Sequence, residues 1–126
     1  MEEANRFLNK ANDFLADAEY LFIGKRSEAV INRCYYSMLT SAQALLISKN
    51  GFAKTHSGVH TKFNELFIKT GIFPKEFGRI LAETFEKRQF GDYEIDAEIS
   101  IEDAETVLKN ARMFVLEVKH YLSKQK

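Results

Sequence analysis

The stretch AVINRCYYSMLTSAQALLIS, Ala29 to Ser48, decides the fold. Between Glu28 and Lys49 it carries one charge, Arg33. Apolar side chains recur at Val30, Cys34, Met38, Ala42 and Leu45, and again at Ile31, Tyr35, Leu39, Ala42 and Leu46. Two neighbouring stripes at spacings of three and four make a helix apolar around most of its girth, the pattern of a central core helix. Its length matches a membrane span, but Asn32, Arg33, Gln43 and four Ser/Thr residues are costly in lipid, so burial inside protein is expected. The polar groups it does carry, Asn32–Arg33 and Tyr35–Tyr36, then sit in a sheltered place and need partners. Any chemistry is expected to gather there.

On the amino-terminal side, Ala4, Phe7, Leu8, Ala11, Phe14, Leu15, Ala18, Leu21 and Phe22 fall on one face and charges fill the other. That is an amphipathic helix, expected to stop near Gly24 in a left-handed cap, with Lys25 and Arg26 opposing the helix dipole. Ser27 reads as the cap of the central helix, with Glu28 in its first turn. So short a link makes the two helices antiparallel neighbours.

On the carboxyl side, Asn50-Gly51 ends the central helix. Ser57 then reads as the cap of a shorter third helix carrying Val59, Phe63, Leu66 and Phe67, closed by Gly71. Pro74 begins a fourth helix, where its missing N–H is harmless. The stripe of that helix runs Phe77, Leu81, Thr84 or Phe85, and then Arg88, an arginine where a hydrophobe is due. Gly91-Asp92-Tyr93 and the acidic run to Glu98 read as a loop. Ser100-Ile-Glu-Asp103 opens a last helix in the manner of a capping box, with Ala104, Val107, Leu108, Ala111, Phe114, Val115, Val118 and Leu122 inside. The expectation is an all-α fold, a five-helix antiparallel up-and-down bundle forming one domain over residues 1–126.

Composition narrows the function classes. The 126 residues hold 18 basic and 18 acidic side chains, so no overall field advertises nucleic acid or membrane. The single cysteine, Cys34, excludes an internal disulfide and reads as a small core residue. The amino terminus is already helical in pattern, with no targeting segment, and a reducing cytoplasm is the expected location. No glycine-rich phosphate loop, Ser/His/Asp order or carboxylate metal cluster is visible, so no metal and no cofactor are expected.

Three constellations hold candidate chemistry. Arg88 and Asp92, four apart, read either as a structural ion pair or as an arginine held in a cleft for an anionic ligand such as phosphate. Tyr93 beside them is an acid, a stacking surface, a modified hydroxyl or simply a packing residue. His56 and His60, also four apart, lack the glutamate of a helical zinc pair and any third ligand nearby; His56 orders its loop or serves as an acid–base group. Asn32, Arg33 and Tyr36 share or adjoin one face of the central helix, either as a hydrogen-bonded network fixing register or as part of a phosphate site in which Arg33 and Arg88 converge.

NRCYY at Asn32–Tyr36, KTHSGV at Lys54–Val59 and R-x-x-x-D-Y at Arg88–Tyr93 together resemble the HEPN domain (higher eukaryotes and prokaryotes nucleotide-binding), in its small stand-alone bacterial and archaeal branch. The resemblance covers nearly the whole chain. It implies a helical bundle, commonly homodimeric, acting beside a minimal nucleotidyltransferase in a toxin–antitoxin-like system. Active relatives are metal-independent ribonucleases in which an arginine is followed four to six residues later by a histidine. There the histidine assists attack of the RNA 2′-OH and the arginine stabilises phosphate charge. Here Arg88 matches, but Asp92, Tyr93 and Glu94 occupy the histidine positions. A carboxylate at Asp92 pairs with Arg88 and repels phosphate. In some relatives a tyrosine near this motif is adenylylated by the partner enzyme, and Tyr93 is a loose match.

The expectation is therefore a nucleotide- or RNA-binding protein whose ligand meets Arg33, Arg88, Asp92, Tyr93, Tyr36 and Asn32. The alternative is a ribonuclease toxin in which Arg88 and a substitute histidine, His56, carry the reaction.

Overall fold

The computed structural model describes residues 1–95 and 98–125; the side chains of Asp92 and Tyr93 lie outside the described part. The fold is all-α. Its helices are α1 (Glu2–Ile23), α2 (Ser27–Ser48), α3 (His56–Phe63), α4 (Lys75–Tyr93) and α5 (Ile101–Ser123). Among the described residues there is no strand.

Helix α2 is the centre, in contact with each of the other four helices. Both stripes read from its sequence are buried, and Tyr35, Met38, Leu45 and Leu46 are fully enclosed. Each such side chain contributes about 1.5–3 kcal/mol by leaving water. The polar residues that enter the core with it are satisfied locally. Ser37 Oγ donates to the Cys34 carbonyl at 2.7 Å and Ser41 Oγ to the Met38 carbonyl at 2.9 Å. Helix α5 closes the other side, with Ala104, Val107, Leu108, Ala111, Phe114, Val115, Val118 and Leu122 all buried, and Ser100 Oγ caps it by accepting from Asp103 N at 3.0 Å. Phe63, Phe67, Phe73, Phe77 and Phe114 interlock at the far end, with ring centroids 5.2–6.2 Å apart.

Several boundaries differ from expectation, each for a local reason. Gly24 has φ −82°, and the left-handed residue is Lys25 at φ 57°. Lys25 N donates to the Phe22 carbonyl and Arg26 N to the Leu21 carbonyl, the paired bonds of a Schellman motif. Asn50, at φ 59°, ends α2 through the same pair of bonds to Ile47 and Leu46. Ser27 is the first helical residue and caps nothing; Arg26 occupies the cap position without a side-chain bond.

Helix α3 is capped by Thr55, whose Oγ1 accepts from Gly58 N at 3.0 Å, and Ser57 lies inside the helix. A Cβ on Gly58 would stand 2.9 Å from that Oγ1 and 3.2 Å from Ala53 Cβ, so glycine is what lets the cap close. Leu66 and Phe67, expected to continue α3, belong to a π-helical turn over Asn64–Ile68. At the other end of the bundle, α4 runs through Gly91 to Tyr93 where a loop is expected. Gly91 is a close-packing residue and no stop: a Cβ there would meet Glu28 Cγ at 3.0 Å and Ile99 Cδ1 at 3.1 Å.

Candidate functional site

The elements meet around Tyr35. Its register on α2 turns the ring inward, where it is fully buried, against one end of α3 and the middle of α4. The phenol oxygen lies 3.0 Å from His60 Nε2 and 3.4 Å from His56 Nδ1. Because α3 starts at His56, the two histidines are one helical turn apart on one face and both reach the same hydroxyl. Phe85 of α4 packs on all three rings, with centroids 5.4 Å from Tyr35, 6.5 Å from His56 and 5.4 Å from His60. One turn further along α4, Arg88 lays its guanidinium over Tyr35 at 5.6 Å and over Tyr36 at 5.2 Å. Stacking of this kind holds a planar cation beside aromatic faces.

The loop before α3 is held as firmly. Gln43, buried on α2, donates through Nε2 to the Ala53 carbonyl at 2.7 Å and accepts from Ala53 N at 3.3 Å. This two-way clasp fixes the backbone three residues before His56, and Thr55 then sets the helix start.

Charge follows from this packing. Burial, and then the Arg88 cation, hold His56 below its ordinary value of 6.5. Burial, and then His56, lower His60 in the same way. Burial pushes the Tyr35 phenol well up, although Arg88 opposes the shift. At neutral pH the cluster is therefore two neutral imidazoles, a protonated phenol and one guanidinium. A neutral imidazole beside a cation is a proton acceptor next to an anion-stabilising group.

Arg33 also stacks near Tyr36, 5.8 Å from that ring and 5.4 Å from Phe14. Its Nε donates to Asn32 Oδ1 at 3.0 Å. Arg33 and Asn32 also line a surface cleft of about 580 Å³ with Arg26. Arg88 and His56 do not line that cleft. The two arginines share the ring of Tyr36.

Of the residues singled out in the sequence, the fold gathers Arg88, His56, Tyr36, Arg33 and Asn32 along one edge of α2. The proposed Arg88–Asp92 pair and the role of Tyr93 lie outside the described residues. Sequence reasoning placed Tyr35 among the sheltered polar groups that need partners, and missed which partners it has. Those partners are 21 and 25 residues away, a separation no spacing rule reaches. The usable signal was the i, i+4 pair of histidines on a helix with no third ligand. Among the described residues no three His, Cys, Asp or Glu side chains gather as a metal would require. None of their helices is long and apolar enough to cross a membrane.

Comparison with known proteins places this chain in a family. A protein of Methanocaldococcus jannaschii named as a candidate toxin is 34% identical over 121 residues, covering 96% of this chain and 90% of its own. A UPF0332 protein of Thermotoga maritima is 35% identical over 106 residues, 84% of this chain and 80% of its own. A UPF0332 protein of Archaeoglobus fulgidus is 29% identical over the full length of both chains. The HEPN domain profile matches residues 4–121, which takes in α2, both histidines of α3 and Arg88 together, and the chain belongs to the HEPN domain family.

Proposed function

We propose that this chain is the toxin-like half of a two-protein pair and acts on RNA, holding the RNA backbone at Arg88 and Arg33 beside Tyr36. The observation that carries the reading is the shared ring of Tyr36, which takes a guanidinium from α4 and another from α2. Two planar cations held by one aromatic residue suit a chain of phosphates, and an aromatic face suits a stacked base. The Methanocaldococcus relatives named as candidate toxins support the toxin-like part. A minimal nucleotidyltransferase is the partner the family resemblance implies, and the chain works as a homodimer in the cytoplasm.

One observation favours cleavage over binding alone. The R-x-x-x-D-Y motif brings no histidine at the expected spacing, yet His56 stands in the Arg88 cluster, kept neutral by burial and by Arg88. In this reading His56 Nε2 takes the proton of an RNA 2′-OH. The 2′ oxygen bonds to the adjacent phosphorus and the bond from phosphorus to the 5′ oxygen breaks. The leaving oxygen takes a proton from water, giving a 2′,3′-cyclic phosphate and a 5′-hydroxyl end, while Arg88 stabilises charge on the phosphoryl oxygens.

The test is incubation of end-labelled RNA with wild type, Arg88→Ala and His56→Ala, each checked for helix content, with analysis of product ends. Cleavage that leaves cyclic phosphate, lost in both variants, supports the enzyme. Binding without cleavage leaves the RNA-binding reading alone. A protein that neither binds nor cuts RNA, alone or with the nucleotidyltransferase, overturns the proposal.

A further inference from the structure

The hydrogen bonds around Tyr35 carry more than packing. A phenol has one proton, and here it touches one nitrogen of each of two imidazoles. With both rings neutral and the phenol protonated, Tyr35 donates to one histidine and accepts from the other. The contacts differ in length: 3.0 Å to His60 Nε2 and 3.4 Å to His56 Nδ1. Hydroxyl donors make shorter bonds than N–H donors, by about 0.2 Å where the acceptor is oxygen, so the shorter of the two contacts is the one given to the phenol proton. From these contacts we infer that Tyr35 donates to His60 Nε2 and accepts from His56 Nδ1–H, so that His60 and Tyr35 together fix His56 in the tautomer whose Nε2 is bare.

Tyr35 and His60 are then positioning residues for His56. His60 is the acceptor that commits the Tyr35 proton, and the committed phenol presents only a lone pair to His56. The same logic, in which a third group sets which imidazole nitrogen carries the proton, governs triads and metal-bound histidines. Among the described residues His56 Nε2 makes no hydrogen bond, which leaves it for a substrate proton. Phe85 packs edge-on against both rings and helps hold them against the phenol. This inference rests on the cleavage reading for its use in chemistry, but its structural content is independent of it.

The direct readout is the imidazole nitrogen resonances of ¹⁵N-histidine-labelled full-length protein above pH 7, which distinguish a protonated from a bare ring nitrogen. In wild type the expected result is His56 with its proton on Nδ1. Tyr35→Phe keeps the ring and removes the hydroxyl, so His56 should move to a mixture of tautomers, while circular dichroism stays unchanged. His60→Phe should do the same, and His60→Gln, whose amide oxygen can accept the Tyr35 proton, should restore the wild-type pattern. In an active preparation Tyr35→Phe should lower kcat on the order of 10–100-fold, as loss of an imidazole orienter does elsewhere, with KM nearly unchanged. Wild-type His56 found with its proton on Nε2 overturns the inference whatever the activity. So does a Tyr35→Phe spectrum in which His56 keeps the Nδ1 proton unmixed. If His56→Ala cuts RNA as well as wild type does, the cleavage reading falls and the tautomer result stands on its own.

Discussion

Removal of one charge at a time from the pair on Tyr36 gives a magnitude that packing alone cannot imitate. Arg33→Gln and Arg88→Gln each delete a cation and leave a polar side chain. If both guanidinium groups neutralise phosphates of a single strand, each adds about 0.7 to the slope of log affinity against log salt. Across a fourfold rise in salt, one such contact weakens binding about 2.6-fold and two weaken it about sevenfold. Each variant should therefore lose about 0.7 of slope, and the double variant about 1.4. The substitutions also cost stability. Arg33 leaves the rings of Phe14 and Tyr36, and Arg88 those of Tyr35 and Tyr36, at about 0.5–1 kcal/mol per partly exposed contact. A loss of about 1–2 kcal/mol leaves a domain of ordinary stability folded at 20 °C. The assay is fluorescence anisotropy of a 2′-O-methylated single strand, which offers no 2′-OH, over a salt series. His56→Ala serves as the control: its imidazole is neutral above its lowered value, so the slope should match wild type. A single arginine variant that keeps the full wild-type slope takes that guanidinium off the RNA backbone, and two such variants refute the reasoning.

Gln43→Leu removes the clasp on Ala53 and leaves that buried N–H and carbonyl without their side-chain partner. The expected cost is about 1–3 kcal/mol in denaturant unfolding, with faster amide exchange at Ala53 and at the start of α3. Cys34 is fully enclosed, and burial raises its thiol to about 12, so a thiol reagent at pH 8 should label it only at the rate of unfolding; rapid native labelling would contradict the packing. Folded values below 6.5 for His56 and His60 mean that the unfolded chain binds more protons between the two sets of values. Their contribution to stability is therefore intact above pH 6.5 and is lost as pH falls through the lowered folded values. Thermal melts should show that loss in wild type and a flatter profile in His56→Gln/His60→Gln.

The fold was legible because helix periodicity is a local property. Every inner residue assigned to α5 is buried, and both stripes of α2 lie in the core. What failed were ends, decided by backbone bonds within the turn at Lys25 and by a contact from elsewhere in the chain at Gly91. Glycine at position 91 reads as a stop, yet the approach of Glu28 and Ile99 makes it the residue that lets α4 continue. Gly24 reads as a left-handed cap, yet the Schellman bonds to Leu21 and Phe22 place that conformation on Lys25.

The site was half legible for the same reason. Arg88 announced itself as a cation on an apolar stripe, and Asn32, Arg33 and Tyr36 as polar groups on a core helix. Tyr35 was legible as a sheltered hydroxyl that needs a partner, but a tyrosine in an apolar stripe satisfies the periodicity whatever that partner is. Burial of a hydroxyl demands a partner, and the partner cannot be chosen from spacing when it lies across the bundle. Here α3 supplies two. One histidine would have satisfied the phenol; the second makes the direction of its proton a choice, and in the proposed reading that choice sets which nitrogen of His56 meets the RNA. The absence of histidine after Arg88 thus need not leave the cluster without a base. Helix α3 brings His56 to the same tyrosine ring that Arg88 covers, and under the tautomer inferred above that tyrosine leaves His56 Nε2 as the proton acceptor.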